Sequence, residues 1–334
     1  MIGVVGGGQL AMLLVEAAKK RDVDVVVQTA SKKDPAAKKT NHVVFSDPTN
    51  AEGTKLLSDN CRSITFENEW VDIASLSVLQ NKGVLFLPKI QSIAPLINKI
   101  TQRELLNTLN IPCPDWISIP LKDPSKFNPP DDWCFPLMAK ASRGGYDGKG
   151  TKIIKNTKQL KELLANDNEE QWMLEKWISF EKELSIVSSR DSKGVIRTLP
   201  IVETYQSKQV CDWVLAPADI NHAVTLMVNN IASSLLTELD YVGVLAIEFF
   251  YGKDGLLVNE IAPRTHNSGH FSIDACTSSQ FDQQICITSG ISVPMPEMHV
   301  DGALMVNLLG LKSDYPISLS QRLDDLRAVP GLNL

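Results

Sequence analysis

The stretch Asn259–His270, NEIAPRTHNSGH, gathers a carboxylate, an arginine and two of the chain's five histidines within a dozen residues. Metal binding, acid–base catalysis and anion binding all suit such a set. Glu260, His266 and His270 give E-x5-H-x3-H, a set that could hold zinc. Pro263 and Gly269, however, would break the helix that an H-E-x-x-H metalloprotease site needs. Arg264, His266 and Asn267 suit a small oxyanion better, because the guanidinium forks onto two oxygens and the other side chains add donors. An acid–base role for His266 stays open, and His270 is expected to be structural.

Just upstream, LAIEFFYGKDGLLVNE reads as a β-hairpin. A three-residue loop, Lys253–Asp254–Gly255, with Gly255 left-handed, pairs Gly252 with Leu256 and sets Glu248 opposite Glu260. A two-residue loop would set Asn259 there instead. Facing carboxylates repel unless a cation lies between them, and the flanking VGVLAI is too apolar for a solvated face. The expected cation is Mg2+, which takes one or two carboxylates together with nucleotide phosphates.

Two glycine runs bear on the nucleotide. AKASRGGYDGKGT has four glycines in seven residues between two predicted strands. Its backbone N–H groups can wrap triphosphate oxygens, with Lys140 and Lys149 as cations. It is not a Walker A loop, and a flexible hairpin is the plain alternative. GGGQLA follows the strand IGVV in the manner of a G-x-G-x-x-A dinucleotide turn. The acid that an NAD site wants at the end of the next strand is missing; VVVQTA puts Gln28 there. A mononucleotide-phosphate site and an ordinary strand–helix turn remain equally open.

The elements that must position these groups alternate. Strands are predicted at residues 2–5, in DVDVVVQTA, and at His42–Phe45, Arg62–Phe66 and Val84–Leu87, with a helix over 9–20 and others between. This is a doubly wound α/β pattern up to residue 97. A helix with Ile100, Leu105, Leu106 and Leu109 stops at Pro112. After the Pro- and Asp-rich connector PLKDPSKFNPPDD comes a small α+β unit: strands at 137–140, 151–154 and 172–177 and a helix near 159–164. Strands at 183–188 and 196–203, a helix over 218–239, the hairpin and a final helix complete the pattern.

Bulk properties narrow the class. The 334 residues exceed one average core, and 43% hydrophobic with 22% charged residues describes a globular chain. A net charge of −6, with both signs interspersed, suggests neither a nucleic-acid nor a membrane surface. Six cysteines without a C-x-x-C pair fit reduced thiols in a cytoplasm. No 18-residue apolar run occurs, and MIGVVGGGQL reads as a strand start, not a signal peptide.

Taken together, GGGQLA, TFENEW, RGGYDGKGT, EKWISFEKELS, YVGVLAIEFF and NEIAPRTHNSGH resemble, in this order, the ATP-grasp superfamily. Within it they are similar to the ATP-dependent carboxylating synthetases of purine biosynthesis. The resemblance covers residues 1 to about 312. It implies an α/β ATP-grasp fold: a Rossmann-like N-terminal domain (1–97), a small α+β lid with its linker (98–182) and a C-terminal α+β domain (183–334). It implies carboxylation of 5-aminoimidazole ribonucleotide by bicarbonate and ATP through carboxyphosphate, in a cytoplasmic homodimer using Mg2+. Other ATP-grasp ligases of purine ribonucleotides, such as a formate-dependent glycinamide ribonucleotide transformylase, and a non-catalytic nucleotide-binding protein are the rival readings.

By that resemblance ATP meets Lys99, Lys140, the loop Gly145, Tyr146, Asp147, Gly148, Lys149, Gly150 and Thr151, the hinge Glu175, Lys176, Trp177 and Ile178, and Glu183 at the ribose. Glu248 and Glu260 hold magnesium beside Asn259. Tyr146, Asp147, Lys149, Arg264, His266 and Asn267 fall on the bicarbonate and ribonucleotide site. Gly8, Gln9 and Leu10, with Glu67 and Glu69, face the ribose phosphate. Lys99 stands where some members carry arginine, and YQSKQVCDW replaces an N-x-H-x-D-G-type run. The family's C-terminal aromatic-basic hairpin, whose lysine and arginine help bind that phosphate, has no counterpart before RAVPGLNL.

Overall fold

The computed structural model describes residues 1–122, 124–144, 150–166, 171–207, 210–308 and 319–333. Three sheets organise the chain. The first is parallel, in the order β3-β2-β1-β4: β1 (Ile2–Val5), β2 (Val25–Thr29), β3 (Val43–Phe45) and β4 (Ile64–Phe66). Helices α1 (Gln9–Lys19), α2 (Ala51–Ser58) and α3 (Ile73–Asn81) connect or follow its strands, as the alternation predicts. Both β1 and β2 are buried throughout, the mark of a parallel strand covered on two faces. Val84–Leu87 does not become a full strand. Ile64 bonds to Leu85 and Leu87, giving one bridge to Phe86, and Pro88 then lacks the N–H to extend a ladder.

A short helix α4 (Ile90–Ile93) and then α5 (Lys99–Thr108) lead out of this sheet. The second sheet, β5-β8-β6-β7, is antiparallel: β5 (Trp116–Ser118), β6 (Leu137–Ala141), β7 (Thr151–Ile154) and β8 (Trp172–Lys176), with α6 (Thr157–Asn166) between the last two. Leu160, Leu163 and Leu164 of α6 pack on Leu137, Ala139 and Leu174, a compact core of its own.

The third sheet begins with β9 (Lys182–Arg190), β10 (Ile196–Thr198), β11 (Val202–Ser207) and β12 (Val210–Ala216). Helix α7 (His222–Glu238) precedes the long hairpin of β13 (Gly243–Gly252) and β14 (Gly255–Ala262). Then come α8 (Ser272–Ala275), α9 (Gln280–Ser289), β15 (Ala303–Val306) and α10 (Leu319–Arg327). The strand order is β14-β13-β9-β11-β12-β15, with β10 also on β9. Sequence periodicity missed β5, β12 and β15: the first and last are only three and four residues long, too short for an alternation to register.

The first and third sheets share one core. Val5, Phe66 and Phe86 belong to the same buried cluster as Leu184, Ile247 and Leu235. Helix α9 seals the join. Phe281 and Ile285 enter the core around α1, while Gln284 donates to Thr65 Oγ1 at 2.9 Å and accepts from Val244 N at 2.7 Å. The site described next therefore rests on a rigid floor.

Candidate active site

The β13–β14 hairpin reaches the expected pairing by an unexpected route. Its loop has two residues, Lys253 and Asp254, because Gly252 pairs with Gly255, whose φ of +87° suits a glycine. That register alone would bring Asn259 opposite Glu248. A bulge intervenes: Phe249 pairs with Val258, the next pair is Glu248 with Glu260, and Asn259 is the extra residue. The three-residue loop expected from the sequence is thus corrected, and the carboxylates face each other because two one-residue departures cancel.

Lysines surround this pair. Lys99, first residue of α5, lies 2.5 Å from Glu260 Oε1. Lys140 on β6 donates to Asn259 Oδ1 at 3.0 Å and pairs with Glu175 Oε2 at 2.7 Å. Burial raises the Glu260 carboxyl, but Lys99, Lys140 and His266 outweigh it and hold the group down at about 2. At Glu248 the balance reverses: burial first, then Glu260 and Glu183, outweigh Lys99 and Lys140 and push it up to about 7. Glu183 on β9 is itself raised to about 7 by burial. Two carboxyls raised toward neutrality, with Lys99 and Lys140 beside the Glu248–Glu260 pair, form a site that gains from a further cation and from an anion bridging to it.

Glu175 does not act as a free hinge group. Its side chain is fully buried and shared by Lys140 and Arg103, whose Nε is 2.7 Å and Nη2 2.6 Å from Oε1. Arg103 also donates to the carbonyls of Asn259 at 2.6 Å and Val258 at 3.4 Å, so one side chain ties β8 to β14. Burial favours a neutral Glu175, yet the two cations reverse this and keep it ionised. Sequence reasoning missed Arg103. Its signal was a charge inside the buried stripe Ile100–Arg103–Leu106 of α5, four residues after Lys99. The remaining hinge residues, Lys176, Trp177 and Ile178, end β8 and lead out of it; Lys176 pairs with Asp115 at 2.9 Å and Trp177 is exposed.

The loop after the hairpin is held to the first sheet. Arg264 Nε pairs with Glu69 Oε2 at 2.6 Å, and its Nη1 donates to Thr265 O at 3.0 Å. His266 Nε2 lies 3.6 Å from Glu248 Oε1, joining the loop to the carboxylate pair. Burial and the Arg264 charge push the His266 ring down to about 3, so the imidazole is neutral near pH 7. Asn267 opens a single 3-10 turn, Asn267–Gly269. His270 is held by Gln280 Nε2 at 3.1 Å and lies against Phe281, which agrees with a structural role. Among the described residues no cluster of three His, Cys, Asp or Glu side chains suits a metal, so the zinc set of Glu260, His266 and His270 does not assemble.

At the first βα turn the structure departs from expectation. The Glu67 carboxylate accepts from Gly8 N at 2.7 Å and Ala11 N at 3.3 Å, occupying the N-terminus of α1. A phosphate at Gly8, Gln9 and Leu10 would meet this fixed negative charge, which suits a hydroxyl donor better. A Cβ on Gly8 would collide with Glu67 Oε1, so only glycine permits the contact. Gln28, where an NAD site wants an acid, is fully buried and bonded to Asp47 O, Asn50 O and Thr54 Oγ1, leaving nothing for a ribose. Gly145, Tyr146, Asp147, Gly148 and Lys149 lie outside the described residues; Gly150 is the turn residue before β7, and Thr151 starts that strand beside Lys140.

Comparison with known proteins decides the family. Residues 1–96 match the ribonucleotide synthetase preATP-grasp domain and residues 104–281 the ATP-grasp domain. The chain is 41% identical over 330 residues to the N5-carboxyaminoimidazole ribonucleotide synthase of Synechococcus elongatus, covering 99% of this chain and 83% of that one. It belongs to the N5-carboxyaminoimidazole ribonucleotide synthase family. The Bacillus subtilis synthase is 31% identical, with 93% of this chain and 81% of that one covered. Among solved structures, the Staphylococcus aureus N5-carboxyaminoimidazole synthetase complexed with ADP superposes with a TM-score of 0.89 at 29% identity, covering 98% of this chain and 86% of that one. The Aspergillus clavatus synthase in complex with ADP and 5-aminoimidazole ribonucleotide gives 0.87 at 28%, with the same coverages. A synthase of this family is an ATP-dependent ligase of purine biosynthesis, and the ATP-grasp fold expected from the motifs is the fold observed.

Proposed function

We propose that the chain carboxylates 5-aminoimidazole ribonucleotide with bicarbonate and ATP, and that the residues grouped around the β13–β14 hairpin carry the reaction. The observation that supports this most is the facing pair Glu248 and Glu260, with Lys99, Lys140 and Asn259 beside it and Arg264 and His266 on the adjoining loop. The facing oxygen donors of Glu248 and Glu260 fit Mg2+, which takes one or two carboxylates together with nucleotide phosphates. Bound there, the ion would neutralise charge on the transferring phosphoryl group.

Lys99 and Lys140 supply positive charge to the triphosphate, and the loop from Gly145 to Thr151 supplies backbone N–H donors. Residues Glu175–Ile178 offer backbone groups to adenine, since the Glu175 carboxylate is already committed, and Glu183 takes the ribose. A bicarbonate oxygen attacks the γ-phosphorus, the bond to ADP breaks, and carboxyphosphate forms. The ribonucleotide amine then attacks its carbon and phosphate leaves with the amine proton. Arg264, His266 and Asn267 hold the carboxyl oxygens, and Tyr146, Asp147 and Lys149 are assigned to the same bicarbonate and ribonucleotide site by the family resemblance. Exclusion of water by the small sheet protects the intermediate. Gly8 and Glu67 meet a hydroxyl of the ribonucleotide.

We place the boundaries of the three domains after residues 97 and 182, the second at the first residue of β9. Six free cysteines suit a reducing cytoplasm, and no described helix is long and apolar enough to cross a membrane. A homodimer completes the reading, to be checked by light scattering. The decisive experiment measures ADP release with and without the ribonucleotide and bicarbonate, with Glu260→Gln as control. Equal ADP release without ribonucleotide, with no carboxylated product, would refute the assignment.

A further inference from the structure

The His266 ring is held from behind by groups that no part of the proposed chemistry uses. Its Nδ1 receives the backbone N–H of Ser268 at 3.4 Å and lies 3.0 Å from Ser268 Oγ. Ser268 Oγ is in turn 2.7 Å from Ser185 Oγ on β9, and both serines are buried. The backbone of His266 is clamped as well: its N–H donates to Gln280 Oε1 at 2.8 Å and its carbonyl accepts from Gln280 Nε2 at 2.7 Å. Gln280 has no exposed surface, so the clamp cannot swing into solvent.

A backbone N–H can only donate, so the Nδ1 it meets must be the unprotonated nitrogen of a neutral imidazole. The hydroxyls then order themselves in one direction. Ser185 donates to Ser268, Ser268 donates to Nδ1, and the ring proton is left on Nε2, the atom facing Glu248. We infer that Ser268, backed by Ser185, is a positioning residue that fixes the Nε2–H tautomer of His266, so that His266 presents a hydrogen-bond donor to the carboxylation site. The inference deepens the functional reading above and rests on it for the identity of the oxygen that Nε2–H meets. It excludes His266 Nε2 as the atom that takes the proton from the attacking amine, because that position already holds one.

The test is 15N NMR of protein labelled at histidine, with the His266 signal assigned by its loss in His266→Gln. Nδ1 is expected at the unprotonated and Nε2 at the protonated position. Ser268→Ala keeps the backbone donor but loses the hydroxyl, and should populate the other tautomer measurably. It should also lower kcat for ribonucleotide carboxylation by about 10-fold, the lower end for loss of an orienting partner, with KM for ATP changed less than twofold. Ser268→Thr should restore both the spectrum and most of kcat. Ser185→Ala, one step further from the ring, should shift the tautomer ratio in the same direction and serves if Ser268→Ala does not fold. A protonated Nδ1 in the unmodified protein, or a Ser268→Ala spectrum and kcat unchanged from it, overturns the inference. The expected tautomer in a protein without ribonucleotide-dependent turnover would instead overturn the functional reading and leave the tautomer assignment standing.

Discussion

Arg103 is the residue whose loss should be most costly outside the reacting groups. Arg103→Met keeps the methylene packing along α5 but removes two contacts to Glu175 Oε1 and the donors to Asn259 O and Val258 O. Glu175 would keep only Lys140. Breaking a buried pair by deleting one partner costs about 3–5 kcal/mol, because the remaining charge stays out of water. Two orphaned carbonyls push the figure toward the upper end, at about 1 kcal/mol or more each. Lys140, now Glu175's sole cation, limits it, so about 4 kcal/mol is expected. With a urea m-value of about 3 kcal/mol/M, the midpoint should fall by about 1.3 M. Arg103→Lys should lose about half as much, because an ammonium cannot reach Glu175 and the Asn259 carbonyl in one planar fork. The assay is equilibrium unfolding followed by tryptophan fluorescence. A midpoint for Arg103→Met within about 0.2 M of the parent would refute the reasoning, since it would mean that Arg103 does not hold Glu175.

Other outcomes follow from the same geometry. With Glu248 raised to about 7, binding of Mg2+ and ATP at pH 6.5 should release protons, read by calorimetry in buffers of different ionisation enthalpy; Glu248→Gln should abolish most of that release. His266 and His270, depressed to about 3 and 4, contribute stability above pH 6.5 that is lost as pH falls toward those values. Glu248 and Glu183 act oppositely: their raised carboxyls favour the fold below pH 4.5, and this is lost as pH rises through about 7. Stability of the ligand-free protein should therefore change little between pH 4.5 and 6.5, and a double Glu248→Gln, Glu183→Gln variant should show the histidine loss unmasked in urea titrations across that range. Gly8→Ala, whose methyl collides with Glu67, should raise KM for the ribonucleotide by about 10-fold, the effect of about 1.4 kcal/mol, and leave KM for ATP unchanged in steady-state kinetics.

The parts of the fold that repeat a local rule were legible. Buried runs such as IGVV and VVVQT mark parallel strands by composition, and α7 showed a long apolar stripe. The small sheet was legible in part, because β5 has only three residues and no alternation to read. At the site, residue types were legible and their commitments were not. Glu175, Glu67 and Arg264 look alike on paper as free charged groups near a nucleotide. In the fold each is already engaged, by Arg103 and Lys140, by the α1 backbone and by Glu69. Those partners lie between 35 and 195 residues away in sequence, beyond any spacing rule, except where Arg103 broke an apolar stripe.

The hairpin shows why a correct site can follow from an incorrect turn. A loop one residue shorter would have turned Glu260 to the other face of the sheet, because strand side chains alternate. The bulge at Asn259 reverses that slip before the chain reaches Glu260, and it leaves Asn259 Oδ1 on Lys140 and its carbonyl on Arg103. An ordinary paired residue would spend its backbone on the ladder. A bulged one has its carbonyl free for a buried arginine and its side chain free for a lysine. The irregularity therefore does two things: it restores the carboxylate pair, and it ties that pair to both cations that grip Glu175. A substitution that regularised the strand would separate Glu248 from Glu260 and release Lys140 together.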